Sequence, residues 1–139
     1  MVFKIHSAIA FSLSINMAGE LGLYQLYKFG FQYDKLAHFI VSMLFAFILC
    51  EALKGWARLP SRKIVWLVIL IVFGSGILWE IFEAASDYLF KTQEWGVYGN
   101  YLAWDTLADI SFNTLGALAG VIVFKIPKGR SGVLIQYPK

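Results

Sequence analysis

Charged residues are scarce in this chain: Asp, Glu, Lys and Arg together make up 15% of its 139 residues. Soluble globular domains usually contain about 25% of these residues. Hydrophobic residues instead reach 59%, and the mean hydropathy is +0.65. This balance excludes an ordinary soluble domain and is typical of a membrane protein.

Cysteine occurs once, at Cys50 inside an apolar run. A single cysteine excludes an intramolecular disulfide bond and a cysteine-based metal site. The 12 basic residues outnumber the 9 acidic ones, but they lie between apolar runs and form no dense patch. The sequence therefore predicts no nucleic-acid partner.

Four apolar segments are each long enough to cross a hydrocarbon core of about 30 Å as a helix. They predict an all-α fold, a four-transmembrane-helix bundle that forms a single domain over residues 1–125, with residues 126–139 as a tail. The first segment exceeds the hydrophobic stretch of a signal peptide, so it is interpreted as a helix. The helices are expected at about residues 5–27, 34–56, 64–90 and 102–125.

The basic residues predict how the bundle is oriented. Nine of the 12 Lys and Arg residues lie at the two termini or in the turn 54–63, which a four-helix path places on one side of the membrane. Cytoplasmic loops carry the excess of Lys and Arg. We therefore expect a multi-pass protein of the cell membrane, with both termini and the tail in the cytoplasm.

Polar residues recur along the predicted helices at intervals of three or four. On the fourth helix Asp105, Asp109 and Asn113 are four residues apart, which puts them on one face. Asp34 and His38 show the same spacing on the second helix. The four-helix path brings these faces to the outer half of the bundle, where they predict a polar pocket. The acidic residues of this layer are Glu20, Asp34, Glu80, Glu83, Asp87, Asp105 and Asp109.

Carboxylates in the apolar part of a membrane need protons, cationic side chains or bound cations as partners. Lys35 and His38 are the nearest cationic side chains in the sequence. An oxygen-rich cluster with one imidazole also suits a divalent metal, namely Mg, Mn, Ca or Zn. The candidate metal ligands are Asp34, His38, Glu80, Glu83, Asp87, Asp105 and Asp109, and the further pocket residues are Asn16, Glu20 and Asn113.

Three classes of function stay open at this stage. The pocket can bind a divalent cation, a polar lipid or an envelope-precursor group. It can also catalyse metal-dependent hydrolysis or transfer on a lipid-linked substrate, with His38, Glu83 and Asp109 as catalytic residues. The third class is a proton or cation transporter, although residues 64–73 offer no polar side chain for a path.

The expected partners follow from the same features. The lipid bilayer surrounds the helices, and a polar lipid or envelope-precursor group is the expected ligand of the pocket. Gly116 and Gly120 let helices approach closely. They also permit a homo-oligomer.

Three segments together resemble a known family: Tyr33-Asp-Lys-Leu-Ala-His-Phe39, Trp79-Glu-Ile-Phe-Glu83, and Trp104-Asp-Thr-Leu-Ala-Asp109 followed by Gly116. In residue type and order they are similar to the YjdF-type family of uncharacterised integral membrane proteins, and more distantly to the VanZ-like proteins. The resemblance covers about residues 33–120. It implies a location at the cell envelope, with the family's polar positions at Asp34, His38, Glu80, Glu83, Asp105 and Asp109.

Overall fold

The computed structural model describes residues 2–56, 61–90 and 102–124. Every regular element within these ranges is helical, which confirms the predicted all-α class. The central part of the basic turn, the aromatic link 91–101 and the tail lie outside the described residues. The elements are α1 (Val2–Glu20), a 3-10 helix (Leu23–Phe29), α2 (Tyr33–Trp56), α3 (Ser61–Phe90) and α4 (Leu102–Phe124).

Among the described residues, three helices are long and apolar enough to cross a membrane. These candidate spans are Tyr33–Leu53, Arg62–Phe90 and Ala103–Phe124. Their large apolar side chains are widely exposed, including Trp66, Leu70 and Ile122. Such exposure suits helices whose outer faces contact lipid. A fourth crossing, by α1, stays a prediction.

The first helix ends earlier than its sequence pattern indicates. We expected an α-helix to about residue 27, but α1 ends at Glu20 and a 3-10 helix follows. Gly22 has a φ of 124°, which an α-helix cannot contain, and Gly30 ends the 3-10 helix at a φ of 81°. The other three helices begin within three residues of the predicted positions.

Helix α2 packs most closely against α4, and the two run in the same direction. A Cβ atom added to Gly116 would overlap the carbonyl oxygen of Phe39, and one added to Gly120 would overlap that of Met43. Only glycine permits this approach of the two backbones. The predicted role of both glycines in close helix packing is confirmed, and it brings the first turns of α2 and α4 together.

The two ends of the bundle differ in chemistry. At the end where α3 begins, a buried core contains only apolar residues and the single cysteine: Ala46, Cys50, Ile64, Val68, Val72 and Ala117. At the opposite end, where α2 and α4 begin and α3 finishes, the buried residues are mostly polar. We call these the apolar end and the polar end.

Two tyrosines attach the N-terminal segment to the polar end. The Tyr33 hydroxyl donates a hydrogen bond of 2.8 Å to the carbonyl oxygen of Ile15 in α1. The ring of Tyr24, from the 3-10 helix, meets Tyr33 edge to face with 5.6 Å between ring centroids. These contacts hold α1 and the 3-10 helix beside the start of α2.

Candidate cation site at the α2–α4 interface

A group of polar side chains lies between the first turns of α2 and α4. On α2, Lys35, His38 and Ser42 are spaced by three and four residues, so they share the face that meets α4. The aspartates and the asparagine predicted on α4 form the opposite wall. We call the group the polar cluster; it consists of Asp34, Lys35, His38, Ser42, Asp105, Asp109 and Asn113.

Lys35 lies at the centre of the polar cluster. Its Nζ is 2.6 and 2.8 Å from the two carboxylate oxygens of Asp109 and 2.6 Å from Asp105 Oδ1. A third carboxylate, Asp34, accepts a bond of 3.0 Å. The side chains of Lys35 and Asp109 are 9% and 6% exposed, whereas those of Asp34 and Asp105 are 42% and 45% exposed. The cluster is therefore closed at Asp109 and open at the polar end.

His38 connects the carboxylates to a neutral hydrogen-bonded pair. Its Nε2 is 3.4 Å from Asp34 Oδ1 and 3.6 Å from Asp109 Oδ1. On the other side of the ring, Nδ1 is 3.3 Å from Asn113 Oδ1, which also accepts a bond of 2.6 Å from the Ser42 hydroxyl. The polar contacts thus extend along the helices from Asp34 to Ser42, and the apolar end begins one turn later at Ala46.

Three members of the cluster can surround one metal ion. Asp34, His38 and Asp109 each offer one ligand atom, and these atoms lie within 4.8 Å of one another. Ligand atoms that share an ion at about 2.0–2.6 Å are separated by at most about twice that distance. We call these three residues the ligand triad.

Helix α3 places Glu80 and Glu83 at the same level. Glu80 is only 5% exposed, and the Thr106 hydroxyl of α4 is its hydrogen-bonding partner. Glu83 is half-buried and accepts a bond of 2.5 Å from the indole Nε1 of Trp79, one turn earlier. Both carboxyl groups lie within electrostatic range of His38, but neither belongs to the ligand triad.

The remaining predicted pocket residues lie elsewhere or are not described. Asn16 bonds within the N-terminal segment, donating to the Ser12 carbonyl at 3.0 Å and accepting from the Tyr24 hydroxyl at 3.4 Å. Glu20 is exposed at the end of α1. Asp87 belongs to α3, but its side chain lies outside the described part of the structure.

Sequence reasoning left two members of the cluster out of the predicted site. Lys35 is named in the sequence analysis only as a cationic partner for the acids, and Ser42 is not among the predicted pocket residues. The signal was present, because Lys35, His38 and Ser42 follow the spacing of one helix face.

Comparison with protein families identifies one family whose sequence model matches the chain. Residues 4–130 match the family described as "Predicted membrane protein (DUF2238)". The chain belongs to this family. With three apolar helices able to span a membrane, it is a multi-pass membrane protein. The YjdF-type resemblance is consistent with the family, while the VanZ-like resemblance stays a prediction. Neither the curated proteins nor the solved structures contain a match to the chain.

Proposed function

We propose that this family member binds a divalent cation at the ligand triad of Asp34, His38 and Asp109. The observation that carries the proposal is the convergence of three ligand atoms within 4.8 Å, beside a point that already holds the Lys35 ammonium group. Lys35 faces three aspartates, so the cluster contains more acidic than basic side chains. The remaining negative charge favours a cation.

The lysine sets a condition on that binding. A divalent ion at about 4 Å from the ammonium group would meet a repulsion of about 8 kcal/mol at an effective dielectric constant of about 20. Both charges also need Asp109, whose two oxygens the ammonium group already contacts. We infer that the ion replaces Lys35 at Asp109 instead of binding beside it. Mg, Mn, Ca and Zn all accept such carboxylate and imidazole ligands.

The second part of the proposal is a ligand for the open side. Asp34 and Asp105 are half-exposed at the polar end, where an ion held by the triad could contact a further oxygen. A polar lipid or envelope-precursor group supplies such oxygens in its phosphate or hydroxyl groups. We propose that this end lies in the outer half of the membrane and that the chain crosses the membrane four times, with both termini in the cytoplasm. The distribution of Lys and Arg supports this orientation.

Catalysis and transport stay predictions. In a metal-dependent hydrolase or transferase, the ion would polarise the substrate and His38 would act as the general acid or base. A transporter would need polar groups through the apolar end, where the described buried side chains are those of the apolar core. Closely packed copies in a homo-oligomer could supply such a path.

The proposal is tested by measuring metal binding to the purified protein. The chain carries an affinity tag without histidine, is stripped with chelator, and is titrated with Mn²⁺, Zn²⁺, Mg²⁺ and Ca²⁺ by calorimetry, with elemental analysis of each product. We expect about one ion per chain, and much weaker binding in Asp109→Asn and His38→Gln because each replaces a carboxylate or imidazole ligand with a neutral amide. Glu51→Gln is the matched control, since Glu51 lies on α2 at the apolar end. Absence of any bound ion in the unchanged protein would refute the proposal.

A further inference from the structure

One carboxylate oxygen of α3, beside the polar cluster, is buried and has no hydrogen-bond partner among the described residues. Glu80 is 5% exposed, and its Oε1 is the buried side-chain oxygen for which the described residues provide no hydrogen bond. Native proteins rarely leave such an atom unpaired, because desolvation without a compensating bond is costly. Among the described residues, Glu80 Oε1 is therefore able to accept one further hydrogen bond.

The surroundings of Glu80 place it beside the polar cluster. One turn earlier on the same face, a Cβ added to Gly76 would lie 2.8 Å from Asn113 Nδ2, so this face of α3 meets α4. The Thr106 hydroxyl is a hydrogen-bonding partner of the Glu80 carboxyl, and Lys35 lies within its electrostatic range. Glu80 and Lys35 therefore lie in neighbouring parts of the region where α2, α3 and α4 meet.

We propose that Glu80 is the binding site for the Lys35 ammonium group when a divalent cation occupies the ligand triad. This inference rests on the proposed function. A divalent ion takes over Asp109 and displaces the ammonium group, which would keep only the half-exposed Asp105 as a carboxylate partner outside the ligand triad unless Glu80 also accepted it. Glu80 supplies the free oxygen, and the flexible four-carbon stem of lysine lets the charge move while α2 stays in place.

This exchange makes Glu80 a residue that controls affinity without contacting the ion. The divalent ion brings two positive charges to the ligand triad, and the Lys35 ammonium group moves from Asp109 to Glu80. Both the ion and the ammonium group then have carboxylate partners. Removing the Glu80 charge would leave the displaced lysine with the half-exposed Asp105 as its carboxylate partner outside the ligand triad. Removing the lysine would make Glu80 irrelevant to this step, because no ammonium group would have to move.

A double-mutant cycle on metal affinity tests the exchange. Mn²⁺ is titrated into the full-length protein and into the variants Glu80→Gln, Lys35→Met and Lys35→Met/Glu80→Gln. We expect Glu80→Gln to weaken Mn²⁺ binding in the unchanged background by an amount within the usual range for coupled sites, about 5- to 150-fold. We expect Lys35→Met to tighten binding, and Glu80→Gln to have little further effect in that background.

The other outcomes separate this inference from the function on which it rests. Equal weakening in both backgrounds would show that Glu80 is a direct ligand or acts only through its charge, and it would overturn the exchange. No weakening in either background would also overturn it. If the unchanged protein binds no ion, the proposed function itself fails. Lys35→Gln repeats the cycle with a polar side chain should Lys35→Met not fold, and Glu51→Gln again serves as the control.

Discussion

Replacing Lys35 with Met removes the positive charge that lies among three carboxylates. The stem of methionine fills most of the space of the lysine stem, so the change acts mainly on charge and hydrogen bonding. Asp109, 6% exposed and bonded to Lys35 through both oxygens, loses its closest cation. We expect this variant to be strongly destabilised when no divalent ion is present.

The size of the effect follows from how deeply each pair is buried. Opposite unit charges at about 4 Å attract by about 4 kcal/mol at an effective dielectric constant of about 20. Asp34 and Asp105 are 42% and 45% exposed, so water screens their pairs with Lys35 and each contributes about 0–1 kcal/mol. The pair with Asp109 is buried, and breaking such a pair usually costs about 3–5 kcal/mol. Lys35→Met should therefore lower the free energy of unfolding by about 3–5 kcal/mol.

The measurement is unfolding by SDS in mixed micelles, followed by circular dichroism in the presence of chelator. Lys28→Met is the control, because Lys28 is exposed and bonds to Gln25 at 3.3 Å; it should change stability by about 0.5 kcal/mol or less. Adding Asp109→Asn to Lys35→Met should restore part of the loss, since no unpaired charge then stays buried. Equal stability of the two lysine variants, or no recovery in the double variant, would refute this account of the cluster.

Two further predictions concern the packing around the cluster. Gly116→Ala should lower the free energy of unfolding by about 1–3 kcal/mol, because its Cβ would overlap the Phe39 carbonyl oxygen. Gly74→Ala is the control: a Cβ there would have nothing within 4 Å, so this change should be neutral or stabilising by up to about 1 kcal/mol. Equal unfolding midpoints of the two variants would contradict the close contact. Tyr33→Phe should lose about 1 kcal/mol with its bond to the Ile15 carbonyl. A faster hydrogen exchange in α1 would accompany that loss, and unchanged exchange would count against the attachment of α1 through Tyr33.

Much of the fold could be predicted because its signals are local and repeated. Long apolar runs predicted the all-α class and the membrane location, and the starts of α2, α3 and α4 lie within three residues of the expected positions. The predicted end of the first helix was wrong, also for a local reason. Gly22 adopts a positive φ, which the apolar character of the run 5–27 does not reveal. The glycines at four-residue spacing predicted a close helix contact of α4, but not that α2 is the helix in contact.

The sequence by itself determined which residues are polar, on which helix face they lie and that the acids needed protons, cationic side chains or bound cations as partners. Helical periodicity and the cost of charge in lipid suffice for that much. Only the tertiary structure decided that Lys35 is the partner, since its contacts with Asp105 and Asp109 join positions 70 and 74 residues apart. Such pairing depends on how two helices are placed against each other. Here Gly116 and Gly120 bring α4 against α2, and that contact sets which acids the lysine reaches.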